Sequence, residues 1–185
     1  MIERTLEDIA ATGVLARALA SVLAPGDVVT LSGPLGAGKT ALARLVITAY
    51  AEQAGAVPPD DVPSPTYTLV QVYEQGPAPV WHFDLYRLEN PADAEELAID
   101  EAFGTAISLI EWSDRLGPYL PEARLDIALD RAGVDAGAAD NAADDAAARR
   151  AVITGFGARG AALETALASR LRAEVNSACA QGGAE

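Results

Sequence analysis

Val28 to Thr40 reads VVTLSGPLGAGKT, a short apolar run passing directly into a glycine-rich turn that closes on Lys39 and Thr40. Val28 to Leu31 is rich in β-branched residues and reads as a buried strand. Gly33, Gly38, Lys39 and Thr40 occupy the demanded positions of the pattern G-x-x-x-x-G-K-[ST]. The glycines allow an open curl in which the backbone N–H groups of Leu35, Gly36, Ala37, Gly38, Lys39, Thr40 and Ala41 converge on phosphate oxygens. A helix opening near Lys39 adds the positive end of its dipole. Lys39 is placed to reach the β- and γ-phosphates, and the Thr40 hydroxyl to bind magnesium. The segment therefore predicts a site for ATP or GTP with magnesium.

On either side of this loop the chain alternates helices and strands. Thr12 to Leu23 places apolar residues at helical spacing, with Thr12 as the expected cap and Pro25-Gly26 as the stop. A second helix is predicted from Lys39 to Ala54. Tyr67 to Tyr73 and Val80 to Asp84 read as two strands of an antiparallel hairpin. Pro91 to Leu97 reads as a short helix with proline in its first turn. Ala106 to Ile110 is another buried strand, Leu125 to Leu129 and Ala151 to Thr154 are two late ones, and Ala161 to Glu174 is a last helix. The pattern predicts one α/β domain over residues 1–174, a P-loop fold with a mixed, mostly parallel sheet flanked by helices. Residues 132–148, dominated by Ala, Asp and Gly, read as a surface insertion, and 175–185 as a flexible tail.

Composition narrows the function. Half of the 185 residues are apolar, enough for a packed core. No apolar run approaches the ~18 residues of a membrane span, and the N-terminus lacks a signal core, so a cytoplasmic protein is expected. One cysteine, Cys179, excludes an internal disulfide framework, and one histidine, His82, leaves no material for a His/Cys zinc site. With 13 Lys and Arg against 27 Asp and Glu the formal charge is −14. A basic face for nucleic acid is therefore not expected. The single lysine of the chain is Lys39.

Magnesium on a phosphate loop needs a carboxylate nearby, commonly at the end of a neighbouring strand. Two apolar runs stop on acids: Ile107 to Ile110 on Glu111, and Val80 to Phe83 on Asp84. Glu111 is the better magnesium candidate because its strand reads as parallel and buried, and Asp84 is suited to the outer shell or to an attacking water. Thr66, in Ser64-Pro65-Thr66, is either a sensor of the γ-phosphate or a strand residue. His82 reads as structural, Arg87 as a partner of Glu89 or Asp93, and Trp112 as core or interface.

LSGPLGAGKTALAR, VPSPTYTLVQVY, HFDLYRL and ISLIEW, in this order and at these spacings, resemble the bacterial tRNA threonylcarbamoyladenosine biosynthesis ATPase family, TsaE. The likeness covers roughly residues 5 to 131. It implies a small ATPase working beside the two other proteins of the threonylcarbamoyl-transfer complex, which install the group on adenosine 37 of tRNA. In that family the ATPase supports turnover and meets tRNA only through its partners. The resemblance carries phosphate and magnesium roles to Lys39 and Thr40, a magnesium role to Glu111, a catalytic or metal-associated role to Asp84, and a switch-like place to Thr66. Two features depart from it: Pro34 stands where the family commonly has an acid, and the 132–148 stretch is unlike a compact member. Competing readings are a small-molecule kinase, for which no basic lid is visible, and a nucleotide-gated interaction protein without chemistry. A regulatory GTPase would need an N-K-x-D stretch, which is absent.

Overall fold

A computed structural model describes residues 1–132 and 148–181, with side chains up to residue 174 of the last helix. Seven strands form one sheet in the order β1-β7-β6-β2-β5-β4-β3. These are β1 (Ile2–Leu6), β2 (Val28–Ser32), β3 (Val70–Tyr73), β4 (Val80–Asp84), β5 (Ile107–Glu111), β6 (Arg124–Arg131) and β7 (Arg149–Phe156). The four middle strands β6, β2, β5 and β4 run parallel, and β3, β7 and β1 add antiparallel edges. The mixed sheet and its β3–β4 hairpin are those predicted.

Buried parallel strands must be apolar on both faces, and the pleat sorts their residues accordingly. Val29, Leu31, Ile107, Leu109 and Ile127 join one core with α1 (Ile9–Ala20), α2 (Lys39–Gln53) and α4 (Gly157–Gln181). Val28, Phe83 and Ile110 face the opposite core, with α3 (Ile99–Thr105) and the 3₁₀ helices Pro91–Leu97 and Ser113–Tyr119. Leu167 of α4 is wholly buried in the first core. Leu167→Ala is expected to lower the unfolding free energy by about 2–5 kcal/mol, the usual cost of a leucine-sized cavity, read as a fall in the urea midpoint.

Several elements differ from the sequence expectation, and two of them, α3 and the 3₁₀ helix Ser113–Tyr119, have no counterpart in it. Strand β1 is absent from that expectation; its alternation of Ile2, Arg4 and Leu6 with Glu3 and Thr5 suits an edge strand, which pairs with β7. Helix α1 begins three residues before Thr12. Asp8 is its cap, accepting from Ala11 N at 2.7 Å, while Thr12 sits buried one turn in and donates its hydroxyl to Asp8 O. The segment from Thr66 to Thr68 is a turn, so β3 starts only at Val70. Helix α4 spans Gly157–Gln181, longer at both ends than Ala161 to Glu174. The Ala/Asp-rich stretch lies outside the described residues except at its ends, where Ala132 N donates to Ala148 O. Residues 182–185 of the expected tail also lie outside them. Among the described residues no helix is long and apolar enough to cross a membrane.

Candidate functional site

The parallel register aligns the carboxyl ends of three strands, pairing Leu31 of β2 with Glu111 of β5 and Glu111 with Asp84 of β4. Ligands of open α/β sheets bind outside this edge. Here the chain leaves β2, curls through Gly33 to Gly38, and enters α2 at Lys39. Gly38 is the helix cap, with φ +98°, no side chain caps the first turn, and that turn contains no acid. The N–H groups there lack helical partners, which suits an anion. In α1 the same groups are served by Asp8.

A cavity of about 340 Å³ opens at this point. Of the predicted residues, Leu35, Gly36, Gly38, Lys39, Thr40 and Ala41 line it from the loop and helix. Thr66, Asp84 and Glu111 line it from the facing strands and turn. Two do not. Ala37 is buried in the core below. Gly33 packs its backbone on β6, where a Cβ would lie 2.1 Å from Leu129 O, and its φ is +133°. The neighbouring strand is by itself enough to require glycine at Gly33.

Lys39 is 4% exposed, and its Nζ donates to Gly33 O and Pro34 O at 2.8 Å each. Burial pulls its pKa below the ordinary lysine value, opposed by the charges of Glu111, Asp84 and Asp114. The ammonium also lies 4.2 Å from the centroid of the Trp112 ring. Glu111 Oε2 accepts from Thr40 Oγ1 at 3.0 Å, and Oε1 contacts His82 Nε2 at 3.0 Å. Asp84 Oδ2 accepts from Thr66 Oγ1 at 2.6 Å and from Ser64 Oγ at 3.3 Å, and Oδ1 accepts from Tyr86 N at 3.1 Å. Thr66 therefore belongs to the site and to no strand.

Oxygen donors of this kind fit a small, hard cation. The Thr40 and Glu111 oxygens stand 3.0 Å apart, close to the ~3 Å between adjacent corners of an octahedron with bonds of about 2.1 Å. Among the described residues no group of three or more His, Cys, Asp and Glu forms a metal cage. Magnesium does not need one, since it keeps waters and shares phosphate oxygens.

Several lining residues are not evident from the sequence. Trp112, which reads there as core or interface, lines the cavity in a left-handed conformation, φ 58°, with Tyr86 against it at 5.1 Å. Its position directly after Glu111 was the available signal. Arg149 lines the same cavity from the start of β7, and only the β6–β7 pairing brings it there. Arg87 stacks over Tyr67 at 4.2 Å, and among the described residues it forms no ion pair with Glu89 or Asp93.

The family described as "Threonylcarbamoyl adenosine biosynthesis protein TsaE" matches residues 6–138 of this chain. The chain belongs to the TsaE family. The tRNA threonylcarbamoyladenosine biosynthesis protein TsaE of Bacillus subtilis (strain 168) is 40% identical over 125 residues, 67% of this chain and 74% of the relative. TsaE of Haemophilus influenzae is 43% identical over 103 residues, 55% and 61% of the two chains. The crystal structure of Bacillus subtilis YdiB superposes with a TM-score of 0.67 at 30% identity, covering 91% of this chain and 94% of that one. The likeness of fold thus reaches beyond the portion matched by sequence. TsaE membership places the chain in the biosynthesis of threonylcarbamoyladenosine in tRNA.

Proposed function

We propose that this chain is the ATP-binding and ATP-hydrolysing subunit of the machinery that modifies adenosine 37 of tRNA, supporting turnover of the partner transferase complex. It would work with the two other proteins of the bacterial threonylcarbamoyl-transfer complex and meet tRNA only through them. The observation that carries this reading is the convergence of Lys39, the Thr40–Glu111 pair and the Thr66–Asp84 pair on one cavity at an uncapped helix start. The absence of an N-K-x-D stretch favours ATP over GTP.

Each side chain has a task in phosphoryl transfer to water. Lys39 would exchange the carbonyls of Gly33 and Pro34 for phosphate oxygens, with the loop N–H groups holding the β-phosphate. Magnesium, held by the Thr40 hydroxyl and the Glu111 carboxylate, would neutralise charge developing on the phosphates. Asp84 is kept in place by the Thr66 hydroxyl and the Tyr86 N–H, with Ser64 beside Thr66, which leaves its remaining lone pairs to orient the attacking water. Water oxygen bonds to the γ-phosphorus as the bond to the β–γ bridging oxygen breaks; ADP leaves and the water proton passes to Asp84 or to solvent. Glu111→Ala is expected to reduce phosphate release in the presence of the partners about 100-fold or more, while magnesium-free ATP affinity stays within about threefold. Undiminished hydrolysis would move the metal role to Asp84.

A further inference from the structure

We propose that His82 fixes the Glu111 carboxylate, holding one of its oxygens so that the other meets the Thr40 hydroxyl at the nucleotide cavity. The inference rests on the reading of Glu111 as a metal ligand given above. His82 precedes Asp84 by two residues on β4, so both project from the same face of the sheet, while Phe83 enters the opposite core. Register pairs His82 with Leu109 and Asp84 with Glu111. The imidazole thus lies one pleat beneath Glu111 on the adjacent strand, and Nε2 comes to 3.0 Å from Glu111 Oε1.

A carboxylate only accepts, so Nε2 carries the hydrogen and donates. The two oxygens of Glu111 are then bound by different partners from different elements, His82 on β4 and Thr40 on α2. This sets both the position and the rotation of the carboxylate plane. A second observation shows that packing alone does not explain a histidine here. The side chain is wholly buried, and its Nδ1 has no hydrogen-bond partner among the described residues. A leucine would fill a similar volume without leaving a desolvated nitrogen, so the bond to Glu111 is what the imidazole contributes that an apolar residue could not. Groups that orient a ligating side chain commonly change metal affinity 10–100-fold when removed. His82 is accordingly a positioning residue.

The test uses the full chain with ATP and increasing Mn²⁺, bound metal being read from the loss of the free-ion electron paramagnetic resonance signal. His82→Leu is expected to raise the Mn²⁺ concentration for half-saturation about tenfold. His82→Gln, which keeps an N–H at the reach of Nε2, is expected to stay within about threefold of the parent. His82→Asn, polar but too short, should behave as the leucine variant does and replaces it if that variant does not fold. In a Glu111→Ala background His82→Leu should change nothing further. ATP affinity in EDTA should be the same for the His82 variants as for the parent. The inference is overturned if His82→Leu matches the parent, if it weakens Mn²⁺ equally without Glu111, or if it weakens metal-free ATP binding in parallel. Failure of Glu111→Ala itself to alter Mn²⁺ binding would overturn the reading of Glu111 as ligand; a Glu111-dependent site indifferent to His82 would overturn this inference alone.

Discussion

Lys39→Ala is expected to weaken ATP binding at least about 100-fold, close to 3 kcal/mol, when measured by titration calorimetry. The lysine is the only one in the chain and stands among Glu111, Asp84 and Asp114, whose charges act on it. Without it, three acids would face the triphosphate with only the loop amides and the metal to offset them. The fold itself should tolerate the change. Lys39 is buried, which disfavours the ammonium and lowers its pKa, so removing it relieves a desolvation cost while forfeiting its bonds to Gly33 O and Pro34 O. The two effects oppose each other, and the melting temperature should stay within about 3 °C of the parent. The sign of its pH dependence follows from the same shift. A lysine whose folded-state pKa is lowered binds fewer protons folded than unfolded, so its contribution to stability improves as pH rises from that lowered value towards the ordinary lysine range.

Gly33→Ala should have the largest effect on stability of any glycine replacement in the loop. The added Cβ would lie 2.1 Å from Leu129 O and 3.1 Å from Leu129 C, both backbone atoms of β6, and 3.2 Å from Ala37 Cβ. Neither the strand nor the loop can yield cheaply, and φ +133° is itself strained for alanine. A loss of about 3 kcal/mol or more is expected, a fall in melting temperature of roughly 6–12 °C for a chain of this size. ATP binding should fall with it, because relief of the contact lifts the loop off the sheet. Gly104→Ala is the control. That glycine lies in α3, where an added methyl group would meet nothing within 4 Å and φ is not left-handed, so the same change should stabilise by about 0.5–1 kcal/mol.

The parts of the fold legible in the sequence were those whose signals are local. Val28 to Thr40 carries strand, turn and helix start in consecutive residues, and β4 and β5 each show an apolar run halted by an acid. What escaped depends on register and pairing. Thr12 and Asp8 are both good caps, and the helix starts at the earlier one, where Asp8 accepts from Ala11 N and Thr12 donates its hydroxyl back to Asp8 O. His82 meets Glu111 because β4 and β5 are neighbours in a particular parallel register. Arg149 reaches the cavity because β7 folds back on β6 across a stretch whose length no local rule predicts. The turn at Thr66 is obscured by Tyr67 and Thr68, which have strand propensity, and by the apolar Leu69 that follows them. Tertiary bonding from Thr66 to Asp84, and Leu69 at φ 64°, hold that segment out of the sheet.

A chain that supplies a nucleotide cycle to the formation of threonylcarbamoyladenosine must make that modification depend on its own ATP site. The most direct test is reconstitution of tRNA modification from purified components, with this chain omitted, added, or added as Lys39→Ala, and modified adenosine quantified over many turnovers. The proposal predicts sustained modification only with the unaltered chain and ATP. Equal, sustained modification with Lys39→Ala, or without the chain, would contradict it.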